Sequence, residues 1–352
     1  MSIHLNQRIA VLGAGSWGTA LANLLANNGY HVTLWARNPE LCETIANIKE
    51  NPKYLPGVVL SEKLMVRHNL EETLSEHNII LLAVPSHSVR EMAKKINPHV
   101  HPDTIIINSA KGFEPESFIR LSEVIKEELP EFSAHNIAVL SGPSHAEEVG
   151  RNLPTAVVVA AHNRKVGETI QDIFITPNFR VYLNLDITGV EIAGALKNVI
   201  ALGTGISDGL GYGDNAKAAL ITRGLVEISR LGTALGAEIQ TFAGLAGLGD
   251  LVVTCTSMHS RNRRAGIQIG QGKPLNQVLR NMGMVVEGVN TTRAAFHLAH
   301  KYGVAMPITE EMYSVLFNGK DPKEAVVSLM SRIKTHEGER EMLGVNSSDT
   351  KF

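Results

Sequence analysis

The sequence predicts an α/β chain in which a doubly wound parallel sheet is followed by an all-α domain. Three observations carry that expectation. A glycine pattern, Gly13-x-Gly15-x-x-Gly18, follows the apolar run Ile9-Ala10-Val11-Leu12. Short apolar runs alternate with helical patterns through the first half of the chain. Strand patterns then give out beyond Asp186. Alternation of this kind builds parallel sheets, and strands covered on both faces read as continuous apolar runs.

The elements follow in order. Strands are expected at Arg8–Gly13, His31–Trp35, Ile79–Val84, Thr104–Ser109, Ile137–Ser141, Thr155–Ala160 and Arg180–Leu183. Helical segments intervene at Trp17–Asn28, Ser88–Ile96 and Glu116–Glu128. From Thr188 the pattern is helical throughout, with segments Thr188–Ile206, Asn215–Leu235, Arg261–Gly270, Thr291–Tyr302, Thr309–Phe317 and Pro322–Ile333. Pro322 just inside a helix start, after Asp321, is a standard N-terminal signal. The reading is therefore a Rossmann-type domain over residues 1–187, a helical domain over 188–334, and a polar, frayed tail over 335–352.

Bulk properties narrow the function. With 352 residues, 19% charged and 44% hydrophobic, the chain has an ordinary globular enzyme-like balance. A formal net charge of -2 supplies no general field for a polyanion, so nucleic acid is not an expected partner. Cys42 and Cys255 are the two cysteines, and neither they nor the 14 histidines show metal-type spacing; no metal is expected, and a reducing cytoplasm is the simple reading. Ile9 to Ala26 has the composition of a signal-peptide core, yet Arg8 is its only basic flank and glycines interrupt it; a strand, turn and helix account for it better. No uninterrupted apolar run of membrane-spanning length is present, so no span is read.

The glycines have distinct tasks. Gly13 permits the tight turn, Gly15 lets the backbone approach a pyrophosphate, and Gly18 lets the helix pack close to the sheet. Free N–H groups at the helix start then face phosphate. An NAD site usually carries a carboxylate at the end of the second strand; here Arg37 stands in that region, suited to a 2′-phosphate. NADP(H) is favoured, NAD(H) use stays open, and a solvated arginine is the bland alternative. Other strand ends point into the same crevice: Lys111 before Gly112, and Gly142 and Ser144 after Ser141.

In the second half, Glu191 and Lys197 are the charged residues between Ile187 and Ile206. The helical neighbours of Lys197 are small and apolar: Val190, Ala193, Gly194, Ile200, Ala201 and Thr204. Burial disfavours an ammonium group, and a lysine moved toward neutrality serves as acid or base. The alternative is a lysine that snorkels outward or pairs structurally with Glu191. Asp250, after three glycines, either holds that ammonium or caps a helix, and Thr254 lies one turn further on its face. Ser260 is a candidate N-cap, and Arg261 and Asn262 in the first turn suggest an anion nearby, against the alternative of a solvated basic face. Together these pieces describe hydride transfer to a small anionic ketone.

The combined motifs GAGSWGTALA, AVPSHSVRE, NSAKGFE, LSGPSHAEEV, EIAGALKNVIALGTGISDGLGYGDNAKAALITRG, AGLGDLVVTC, SRNRRAG and VVEGVNT cover nearly the whole chain and closely resemble the bacterial glycerol-3-phosphate dehydrogenase [NAD(P)+] family. The resemblance implies reversible hydride transfer between dihydroxyacetone phosphate and sn-glycerol 3-phosphate, feeding glycerophospholipid synthesis. By the same resemblance Lys197 is the general acid/base and Lys111 contacts cofactor and substrate. Gly142, Ser144, Asp250, Ser260, Arg261 and Asn262 line the substrate site. Ser16, Trp17, Arg37, Ala146, Arg261, Val285 and Glu287 line the cofactor site; Val285 and Glu287 rest on the resemblance alone. A homodimer is expected. The rivals are a two-domain β-hydroxyacid or nucleotide-sugar dehydrogenase, the latter requiring Cys255 as nucleophile, and a non-catalytic NADP(H)-sensing protein. A methyltransferase shares the glycine-rich strand end but fits Arg37 and the helical domain poorly.

Overall fold

The computed structural model describes residues 7–334 and Glu337; apart from Glu337, the tail expected over 335–352 lies outside the described residues. The chain divides into two compact units, Met1–Glu191 and Ile192–Phe352.

In the first unit eight strands form one sheet: β1 (Arg8–Leu12), β2 (His31–Trp35), β3 (Met65–Arg67), β4 (Ile79–Leu82), β5 (Ile105–Asn108), β6 (Ile137–Ser141), β7 (Thr155–Ala161) and β8 (Phe179–Asn184). Their order is β3-β2-β1-β4-β5-β6-β7-β8, so the chain reverses direction across the sheet at the β1/β4 junction. Two apolar clusters cover the sheet. Ile9, Val11, Ile79 and Leu81 belong to one, Ala10, Leu12, Ile80 and Leu82 to the other. The period of two along each strand sends successive side chains to opposite faces, and both faces are dry, which is why these strands are apolar at every position.

The sheet departs from an all-parallel one at its far side. β6 and β7 pair antiparallel, Ala138 opposite Ala161 and Ser141 opposite Val158, while β7 and β8 are parallel. The link after β6 turns at Gly142, with φ of +127°, and contains only the five-residue helix Ala146–Gly150. That link packs against the helix Ser16–Asn27 and does not make the longer crossover that a parallel return needs. β3 was not expected because three residues, Met-Val-Arg, carry no readable alternation. The helix expected from Glu116 starts at Leu121. Upstream, Glu114 accepts hydrogen bonds from the Glu116 and Ser117 N–H groups, and Phe118 adopts φ of +59°, which holds the segment as a turn.

The second unit is helical among its described residues. The helix Ile187–Gly209 begins in the first unit, and the helices Asp214–Ala234, Asp250–Thr256, Arg261–Gly270, Leu275–Met282, Glu287–Tyr302, Pro307–Phe317 and Pro322–Met330 follow it. By length and composition Ile187–Gly209 is apolar enough to cross a membrane, although Glu191 and Lys197 interrupt it; its apolar window is wholly buried inside the fold. It is the central helix of a core. Glycines on two helices let them approach closely: a Cβ at Gly205 would fall 2.2 Å from the Arg263 carbonyl oxygen, and one at Gly266 would fall 2.2 Å from that of Leu202. Gly209 and Gly270 repeat the arrangement one turn along. This backbone-to-backbone contact sets Arg261–Gly270 against the lysine-bearing helix.

Candidate active site

The first unit presents a turn shaped for a pyrophosphate. Gly13 has φ of +120°, and a Cβ there would meet the Ala83 carbonyl oxygen at 2.7 Å, so β1 and the end of β4 close up on each other. Gly18 lies against the same turn: its Cβ would fall 1.9 Å from the Gly13 carbonyl oxygen. Gly15 differs, because a Cβ there would meet nothing within 4 Å. Two glycines are thus required by packing and the third keeps a space open. Gly15 caps the helix Ser16–Asn27 without a side-chain hydrogen bond, and no acidic residue stands in its first turn. Its leading N–H groups are available to an anion by position. Trp17 Nε1 is a buried donor that finds no acceptor among the described residues. These features fit a dinucleotide. Arg37 is exposed just beyond the carboxyl end of β2.

At the ends of β5 and β6 the structure gathers three of the expected residues. Lys111 Nζ donates to the Gly142 carbonyl oxygen at 3.0 Å, and Ser144 Oγ donates to the same oxygen at 2.9 Å. A side chain at Gly142 would be strained by its φ of +127° and would press a Cβ on Val157 Cα at 3.0 Å. Ala146 opens the short helix that follows and is buried.

The second unit holds the strongest chemical feature. Lys197 is 6% exposed and Asp250 1%. The lysine Nζ donates to Asp250 Oδ1 and, at 2.7 Å, to Thr254 Oγ1. Asp250 is the first residue of Asp250–Thr256, whose N-cap is Gly249 and whose start has no side-chain cap. The aspartate is therefore committed to the ammonium and not to capping. Glu191 is engaged elsewhere: it accepts from Arg120 at 2.8 Å and from the Ser122 N–H at 2.8 Å. Burial pushes its carboxyl above the ordinary range, against the pull of Arg120 and Ser122. A Lys197–Glu191 structural pair is thus not formed. A buried ion pair contributes little net stability, because desolvation offsets the attraction. Its presence on a long, mostly apolar helix makes it a candidate for acid–base chemistry.

Beside it, Ser260 caps Arg261–Gly270 by accepting from the Arg263 N–H at 3.2 Å. The basic run is not a uniformly solvated face. Arg263 is bound to Asp208 through Nε at 2.8 Å, and Lys217 reaches Asp208 at 3.0 Å. Arg261 donates to the Val285 carbonyl oxygen at 3.3 Å, which joins it to the segment leading into Glu287–Tyr302. Asn262 is buried, and its amide is engaged on both sides within the protein: Nδ2 donates to Asn198 Oδ1 at 2.8 Å, and Oδ1 accepts from the Gly288 N–H at 2.9 Å. From the sequence, Asn198 has little weight of its own, as an amide beside Lys197 able to orient a substrate oxygen; the structure pairs it with Asn262. Val285 and Glu287 were not reached from residue chemistry; the Glu-Gly pair opening a helix was the available signal. Cys255 is buried, and burial pushes its thiol up to about 12. Among the described residues no group of three or more His, Cys, Asp or Glu is placed to hold a metal.

Family models described as the NAD-dependent glycerol-3-phosphate dehydrogenase N-terminus and C-terminus match residues 8–167 and 186–327. The chain is 56% identical to the glycerol-3-phosphate dehydrogenase [NAD(P)+] of Moorella thermoacetica over 95% of its own length and 99% of the relative's. It is 55% identical to that of Bacillus velezensis, covering 95% of this chain and 96% of the relative. Among solved structures, the glycerol-3-phosphate dehydrogenase of Coxiella burnetii superposes with a TM-score of 0.89 at 41% identity, covering 93% of this chain and 99% of that one.

Proposed function

Since the chain belongs to the NAD-dependent glycerol-3-phosphate dehydrogenase family, we propose that it reduces dihydroxyacetone phosphate reversibly to sn-glycerol 3-phosphate, with NADP(H) preferred and NAD(H) accepted, and so supplies glycerophospholipid synthesis. The observation that carries this reading is the Lys197 ammonium, buried and held by Asp250 and Thr254.

When bound, the nicotinamide supplies the hydride. Gly13, Gly15, Ser16, Trp17 and Gly18 hold the dinucleotide phosphates and their surroundings, Arg37 takes the 2′-phosphate, and Ala146, Arg261, Val285 and Glu287 complete the cofactor contacts. Lys197 delivers the proton to the carbonyl oxygen as negative charge grows there. Asp250 and Thr254 fix the direction of its N–H bonds, so little reorganisation is needed during the reaction. Lys111 adds a second positive charge toward the same oxygen, and Gly142 and Ser144 line the substrate site beside it. The helix start formed by Ser260, Arg261 and Asn262 binds the phosphate of the substrate; binding energy at that remote group positions the carbonyl.

The rivals draw no support. A cysteine-dependent oxidation needs a thiolate, and Cys255 is buried with its thiol pushed up to about 12. A cofactor sensor has no use for a buried Lys-Asp-Thr cluster. A cytoplasmic homodimer completes the proposal. The test is NADPH oxidation by the purified protein with dihydroxyacetone phosphate, run beside a panel of keto acids. Turnover is expected with the former; turnover confined to keto acids, or none at all, would overturn the assignment.

A further inference from the structure

The amide chain Asn198–Asn262–Gly288 has a fixed polarity. A main-chain N–H only donates, so the Gly288 hydrogen requires Oδ1 of Asn262 at its end, at 2.9 Å. Asn262 Nδ2 must then face Asn198, whose Oδ1 accepts at 2.8 Å. The Asn198 Nδ2 is left to the Gly194 carbonyl oxygen at 3.4 Å. One backbone hydrogen thus orients both buried side chains. The chain is also tightly packed: a Cβ at Gly288 would lie 2.6 Å from the Asn198 carbonyl oxygen and 3.0 Å from Asn262 Oδ1.

The elements tied together are informative. Asn198 follows Lys197 on one helix. Asn262 follows Arg261 in the first turn of a second. Gly288 lies in the first turn of a third, just after Val285, the residue whose carbonyl Arg261 holds. The ammonium and the guanidinium therefore sit next in sequence to the two asparagines that bond to each other. The Asn262 amide bonds to Asn198 on one side and to Gly288 on the other, so the turn that carries Asn262 and Arg261 is tied to both neighbouring helices. We propose that Asn198 is a positioning residue for the phosphate end of the substrate, acting through Asn262 to keep the Arg261 turn in register with Lys197. This rests on the function proposed above. Removing the Asn198 acceptor leaves the Asn262 donor buried and unsatisfied, and that turn is free to shift.

The experiment compares kcat/KM, with NADPH, for dihydroxyacetone phosphate and for unphosphorylated dihydroxyacetone in Asn198→Ala, in the milder Asn198→Ser, and in Gly288→Ala, which strikes the chain from its other end. Thermal unfolding shows which variants fold, and any that fold carry the same criterion. Preference for the phosphorylated substrate is expected to fall by about tenfold, the scale of one lost buried hydrogen bond, with activity on dihydroxyacetone nearly kept. Equal losses on both substrates mark a merely structural role and overturn the proposal, as does unchanged preference. A wild-type protein that fails to reduce dihydroxyacetone phosphate sinks the functional reading itself, and the proposal with it.

Discussion

In the proposed reaction Lys197 concentrates the chemistry into one side chain. Its ammonium is removed from water, opposed by one carboxylate and fixed by one hydroxyl. Replacing it by alanine removes the proton donor while the glycine turn of the first unit keeps its shape. Lys197→Ala is expected to lose turnover by on the order of a hundredfold or more, with NADPH affinity retained in a fluorescence titration; near-normal turnover would strip the residue of its role. Arg37 bears on a separate question, the choice of cofactor. Arg37→Ala is expected to weaken NADPH binding by roughly ten- to a hundredfold, as loss of a hydrogen bond to a charged group does, and to leave NADH binding nearly unchanged. Equal weakening of both would show that the arginine does not read the 2′-phosphate. These residue types were legible in the sequence, because a charge among small apolar neighbours and an arginine at a strand end are both local anomalies. The commitment of Asp250 was not, since a carboxylate after glycines caps helices as readily as it holds a lysine.

Single elements explain how such side chains are held. The start of Ser16–Asn27 shows two kinds of glycine. Gly15→Ala meets no steric opposition, so the variant is expected to fold with an unfolding midpoint close to wild type and to lose dinucleotide affinity; retained affinity would mean that the open space is not the pyrophosphate site. The pair of helices Ile187–Gly209 and Arg261–Gly270 makes the opposite case. Gly266→Ala would drive a methyl group into the Leu202 carbonyl and is expected to cost about 1–3 kcal/mol or more, read as a lowered denaturant midpoint. A stable Gly266→Ala protein would show that the helices can separate without penalty. Helices such as Arg164–Phe174 and Leu275–Met282 were legible in principle. Val166, Ile170, Ile173 and Phe174 repeat at helical spacing behind Asn163, which caps the helix, and Leu275 and Val278 begin the same pattern. β3 was not, because three residues are too few to show a period.

For the molecule as a whole, stability depends on pH through a carboxylate far along the chain from the lysine. Glu227 is buried and accepts from the Ile308 N–H at 2.6 Å and from Thr309. Burial raises its carboxyl to about 7 from the ordinary 4.5, against these donors and the nearby Arg230 charge. The folded chain therefore holds a proton there that the unfolded chain has released between those two values. Stability from this group is present below about 4.5 and declines as pH rises toward 7. Glu227→Gln is expected to flatten that decline when thermal midpoints are compared at several pH values. A variant with the same slope as wild type would assign the pH dependence elsewhere.

By itself the sequence determined the alternation of strand and helix, the change to an all-helical second half, the glycine turn after the first strand and the anomalous lysine. All of these are local: they depend on periodicity, on glycine spacing, or on a charge out of place among its near neighbours. Only the tertiary structure decided that Asp250 belongs to Lys197 and Glu191 to Arg120, that β7 runs antiparallel to β6, and that Asn198, Asn262 and Gly288 share one chain of hydrogen bonds. Those pairings join residues tens of positions apart. Which distant donor meets which acceptor is set by how glycine-lined helices and two-faced strands pack, and packing leaves no mark on any short stretch of sequence.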